Sequence, residues 1–230
     1  MKHIYLNLKR FDVPVEFGGV NRLAPVADWA SCIVKNTQEE LKTYDPSEVE
    51  FGMYFPEVHL LNAAAAKTEG SPVQIGCQSV FRADTAVGGN FGAFTANRPA
   101  SAMAAAGCET TIIGHCEERN DKAGILAEAG VTDTGAVNRL LNQEIKCAIA
   151  RGMKVLYCAL YKNCGPHRVP VKSCSLMHFH HYIEDVMSQN EPLLSLVQPA
   201  LVSFARLPLR CPLNFSVLLI LRPSQQPKPY

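Results

Sequence analysis

"TTIIGHCEERN" (residues 110–120) changes character within a single glycine. Thr110 to Ile113 form a short, β-branched, apolar run of the kind that fills a strand covered on both faces. After Gly114 come His115, Cys116 and three charged residues, Glu117, Glu118 and Arg119. Acidic side chains suit the first turn of a helix, whose positive end also disfavours an imidazolium. A buried strand, a glycine and a polar helix start make the junction of a βα unit. In parallel sheets the functional groups gather at the carboxyl ends of the strands, which is where His115 stands.

The same alternation extends to both sides. "HIYLNL" (3–8), "FGMYFP" (51–56), "VQIGC" (73–77), "TTIIG" (110–114) and "KVLYC" (154–158) are short, β-rich runs bounded by Gly, Pro or charge. Helical patterns lie between them. In "TGAVNRLLNQEIKCAIAR" (134–151), Val137, Leu140, Leu141, Ile145, Ala148 and Ile149 recur at three- and four-residue spacings and make one apolar stripe, with Gly152 in the C-cap position. "NRPASAMAAA" (97–106) ends at Gly107 in the same way. Strand–helix alternation predicts a parallel sheet.

The plan breaks near residue 158. Residues 159–230 hold one of the 15 glycines but nine of the 15 prolines, and carry seven basic against three acidic side chains, against 15 and 18 before them. Stretches such as "FARLPLRCPLNF" interrupt any regular element. The reading is therefore a first unit, 1–158, and an unrelated Pro-rich tail, 159–230, of frameshifted or misjoined origin. A net charge of +1 gives no electrostatic case for nucleic acid or an anionic membrane. The opening "MKHIYLNLKR" has no leader-like apolar region, and no transmembrane span is expected. Nine cysteines without CxxC spacing point to reduced thiols in the cytosol.

Several spaced segments together carry a resemblance. "IIGHCEER" resembles the "IIGHSERR"-type segment of the triosephosphate isomerase family, and "NLK" (Asn7 to Lys9) is similar to that family's "NWK". "GCQSV…GAFTANRPASAMAAAGCETTIIGH" looks like its third βα unit running into the fourth strand, and "AVNRLLNQEIKCAIARGMKVLYC" like its fourth helix and fifth strand. The likeness covers about residues 2–158. It implies the (β/α)8 barrel family, here an incomplete barrel of about five parallel strands followed by an irregular C-terminal tail.

The resemblance implies an isomerase of glycolysis and gluconeogenesis that interconverts dihydroxyacetone phosphate and glyceraldehyde 3-phosphate. It would be cytoplasmic and homodimeric, with no metal or cofactor. His115 and Lys9 would be catalytic, Asn7 and Lys9 would bind substrate, and Glu117 would support them. Leu8 stands for the usual Trp, Cys116 for Ser, and Glu118 inverts the charge of a usual Arg. The dimer would be built on the long loop 78–96, ending near Phe94 and Thr95, with "ADTAVGGN" as an extra stretch. No "YEPVWAIGTG"-like segment, which bears the family's glutamate base and lid, and no Gly-rich phosphate loops follow residue 158. The alternative function is accordingly a non-catalytic truncated relative. Three further readings stay open: Cys116 as a nucleophile, Cys174, His178, His180 and His181 as zinc ligands, and "LNFSVLLIL" (213–221) as a strand too short to span a membrane.

Overall fold

A computed structural model describes residues 2–159 and 217–221. The described residues form a sheet in the order β1 (Lys2–Asn7), β2 (Val49–Phe55), β3 (Val73–Gln78), β4 (Thr110–Ile113), β5 (Lys154–Ala159) and β6 (Val217–Leu221). The first five run parallel, each beside its sequence neighbour. The sixth returns antiparallel along β5, with Val155 opposite Leu221 and Ala159 opposite Val217. It lies inside the stretch read as a strand at 213–221. The rest of the tail, with Cys174, His178, His180 and His181, lies outside the described residues.

Helices α1 (Trp29–Leu41), α2 (Leu60–Ala65), α3 (Ala100–Ala105), α4 (Cys116–Glu128) and α5 (Ala136–Ala150) connect the parallel strands. The main core lies between them and one face of the sheet. Met53, Phe55, Ile75, Ile113 and Val155 meet Trp29, Val34, Leu60, Met103, Leu141 and Ile145 there. Helix α3 begins at Ala100, three residues later than its sequence pattern, with Pro99 as its N-cap in extended backbone, φ −56° and ψ 144°; a proline also disfavours helical backbone in the residue before it. In α5 the buried stripe of Leu141, Ile145 and Ala148 also contains Asn142 and Glu144.

The other face is the concave interior. Tyr54 fills it beside Ile112, Leu156 and Cys158, and its hydroxyl meets Thr110 Oγ1 at 3.0 Å. Gly76 is what lets the ring lie flat, since a Cβ there would stand 2.4 Å from Tyr54 Cδ1. Deeper in, buried Glu50 meets His3 Nδ1 at 2.8 Å and accepts from Lys154 Nζ at 2.6 Å. Glu50 is on β2 and Lys154 on β5. Three strand spacings would part them by about 14 Å in a flat sheet. Their contact therefore records the curl, and residues 2–159 are a half-barrel with helices outside. At its open side, Ile4 and Leu6 on the helix-facing side of β1 are about half exposed.

Candidate active site at the carboxyl ends of β1, β3 and β4

The chain leaves β1 through a tight turn. Asn7 Oδ1 accepts from the backbone N–H of Lys9 at 3.0 Å, and Lys9 takes a left-handed conformation, φ 44°. A non-glycine residue with positive φ needs support from its surroundings. Gln78, the last residue of β3, supplies it. The two hydrogens of its Nε2 are shared among Lys9 O at 3.1 Å, Tyr54 O at 3.1 Å and Asn7 Oδ1 at 3.3 Å. The carbonyl side of Asn7 is thus engaged by protein.

At the end of β4, Gly114 (φ 81°) turns the chain into α4. A Cβ at this position would stand 2.9 Å from Cys158 O and 3.0 Å from Arg119 Nη2. His115 is the N-cap of α4, and its Nδ1 accepts from Glu117 N–H at 3.4 Å. Burial holds the imidazole below its ordinary pKa, and Lys9 adds to this, while Glu117 and Glu118 act in the opposite direction. Its Nδ1 also faces Glu117 Oε2 at 3.5 Å, a contact that would favour imidazolium. Burial is the larger effect, so the ring is neutral near pH 7. With Nδ1 an acceptor, the hydrogen-bond network assigns the proton to Nε2.

Lys9 Nζ donates to Glu117 Oε1 at 2.8 Å across 108 residues of sequence. This bond holds the Glu117 carboxyl below its usual range, against the effect of burial. Both partners are substantially exposed, 36% and 65%, so the pair contributes little stability. What it does is fix a cation beside the imidazole. Of the residues singled out in the sequence, Lys9 and His115 thus both contact Glu117, and Asn7 joins them through the Lys9 backbone. Cys116 Sγ lies 3.6 Å from His115 Nδ1, the nitrogen already engaged by Glu117 N–H.

Several supporting groups escaped the sequence reading. Gln78 is one. Arg119 is another: buried, it donates from Nε to Gly114 O at 2.7 Å and from Nη2 to Tyr157 Oη at 2.6 Å. Ser79, Lys122 and Glu144 form a third group around Glu118. A charged residue inside the α5 apolar stripe was the available signal for Glu144. Among the described residues no group of three or more His, Cys, Asp or Glu side chains could hold a metal ion, and no helix is long and apolar enough to cross a membrane.

The family model described as triosephosphate isomerase matches residues 27–163. That span holds His115, Glu117 and Gln78 and begins after Asn7 and Lys9. A search of curated proteins gives no match. Among solved structures, the triosephosphate isomerase of Bartonella henselae is similar at 18% identity and a TM-score of 0.44, over 69% of this chain and 51% of that one. The chain thus spans about half the length of that structure.

Proposed function

The chain belongs to the triosephosphate isomerase family, and from that premise we propose that residues 2–159 supply the carbonyl-polarising, cation-bearing half of a triose-phosphate site. Its ligands are dihydroxyacetone phosphate and glyceraldehyde 3-phosphate. In triosephosphate isomerases a neutral histidine near a helix N-terminus polarises the substrate carbonyl while a glutamate moves the proton. Here His115 Nε2–H donates to the carbonyl oxygen, the Lys9 ammonium offsets the phosphate and the charge that develops on that oxygen, and the Asn7 amide contacts the ligand. Glu117 acts as a support by holding the ammonium in place. The observation that carries this reading is the contact of His115 Nδ1 with Glu117 N–H, with Lys9 fixed on the Glu117 carboxylate.

The proton-abstracting base is assigned to no residue. A second reading, ligand recognition without turnover, is favoured by β6, which runs antiparallel to β5 where a repeating βα barrel adds a parallel strand. The loss of a general base removes about 10²–10⁴-fold in rate. We expect residues 1–230 to turn over glyceraldehyde 3-phosphate no faster than the His115→Gln variant purified in parallel. Dihydroxyacetone phosphate should nevertheless shift the His115 side-chain nitrogen resonances of the parent. An unmoved His115 under saturating ligand would sink the proposal. Turnover well above the variant would restore full catalysis, and Glu184 would then be the first residue to substitute.

Homodimerisation through the loop between β3 and α3 belongs to the same proposal. Val87 and Phe91 stand exposed on it, while Asp84 anchors its base to Arg151 and Ser101. A cytosolic location is proposed on the six described cysteines, all of which are free thiols.

A further inference from the structure

Gly114 is gripped on both sides by the first turn of the helix that follows it. Its N–H donates to Glu118 Oε2 at 2.6 Å, and its carbonyl accepts from Arg119 Nε at 2.7 Å. The residue so held has φ 81° and directly precedes His115. Any rotation about it would swing the imidazole and disturb the Nδ1 contact with Glu117 N–H.

The Glu118 carboxylate is itself fixed. Its Oε1 accepts from Ser79 Oγ at 2.5 Å and from Lys122 Nζ at 2.8 Å. Lys122 also pairs with Glu144 Oε1 at 2.9 Å, and Glu144 Oε2 lies 3.4 Å from Ser79 Oγ. Ser79 has one hydroxyl hydrogen, and the short bond to Glu118 uses it. A hydrogen bond between Ser79 and Glu144 then requires the proton to come from Glu144. Burial and the neighbouring Glu118 push the Glu144 carboxyl up to about 7, which agrees with that count. The chain of contacts runs from α5 through the end of β3 into α4 and ends on the Gly114 amide.

We propose that Glu118 is a positioning residue for His115, acting through the Gly114 amide and oriented by Ser79 and Lys122. It rests on the reading of His115 as the polarising group. A charge-assisted bond of this kind is short and directional, and supporting contacts of this sort decide whether a site group is held or loose.

The test is nuclear magnetic resonance of the full chain without ligand, reading the Gly114 amide proton and the two ring nitrogens of His115. In the parent the amide proton should lie far downfield and the Nε2–H tautomer should predominate. In Glu118→Leu the amide should move upfield and His115 should become a mixture of tautomers. Glu118→Gln retains an oxygen acceptor and should restore both signals toward the parent. Unchanged Gly114 and His115 signals in Glu118→Leu would overturn the proposal, and so would a loss that Glu118→Gln does not restore. If Glu118→Leu fails to fold, Ser79→Ala serves in its place: a smaller shift in the same direction supports the proposal, and unmoved signals overturn it. Because no ligand is present, the outcome is independent of whether dihydroxyacetone phosphate binds.

Discussion

Replacing Glu144 by Gln should flatten the pH dependence of this fold's stability. The Glu144 side chain is 5% exposed. Burial first, and then the Glu118 charge, raise it from 4.5 to about 7, against the pull of Lys122. The folded chain therefore binds this proton more tightly than the unfolded chain does. The contribution is complete below pH 4.5 and is lost as pH rises through about 7. A rise from 4.5 to about 7 corresponds to about 3 kcal/mol at full loss, at 1.36 kcal/mol per unit. Its partners act elsewhere on the pH scale. Burial raises Glu118, but Lys122, Ser79 and Gly114 outweigh it and hold that carboxyl low. Its stabilisation is thus in place above the ordinary glutamate range. Lys122 is raised despite burial, by Glu118 and Glu144, so its stabilisation is lost only in strong alkali. Between pH 5 and 8 the Glu144 effect stands alone in this cluster. Urea unfolding followed by Trp29, the single tryptophan of the chain and a buried one, should show the parent losing stability over that interval. Glu144→Gln should lose much less, becoming the more stable protein at pH 8 by up to about 3 kcal/mol. Parallel pH profiles for the two proteins would refute the assignment of the proton to Glu144.

Gly114→Ala should cost more than about 2 kcal/mol, because the left-handed backbone penalty of about 1–2 kcal/mol adds to the approach of the new Cβ to Cys158 O at 2.9 Å; the urea midpoint measures it, and an unchanged midpoint contradicts the geometry. Lys9→Met should raise the titration midpoint of His115, since Lys9 is one of the groups that lower it, and should abolish the response of His115 to dihydroxyacetone phosphate. A midpoint that falls would show that Lys9 does not face the ring.

The strands were legible because each is a short run of aromatic and aliphatic residues bounded by Gly, Pro or charge, and each lies within two residues of its expected ends. The α5 stripe was legible for the same kind of reason, as one periodic face. His115 could be found because the change from strand to ionisable residues happens at Gly114. The pairing of Lys9 with Glu117 could not be read from local pattern, because the two are 108 residues apart and meet only when β1 and β4 are brought into one curled sheet. Glu118 read as an ordinary first-turn acid, since nothing local says that its side chain turns back to the Gly114 amide. Gln78 and Ser79 sit where a strand passes into a long loop, and periodicity ends there. The run containing β6 carried no direction: an apolar segment pairs parallel or antiparallel according to how the chain returns to the sheet, which composition does not encode.

That return has a consequence for reconstitution. By taking the free side of β5, β6 acts as a built-in competitor for whatever extended segment would otherwise dock there. A complementary C-terminal half-barrel added in trans must first displace five residues of antiparallel ladder before its own leading strand can register. Complementation should therefore be slow and limited by unzipping of β6, and a chain ending at Ala159 should accept the second half faster than the full 230 residues do.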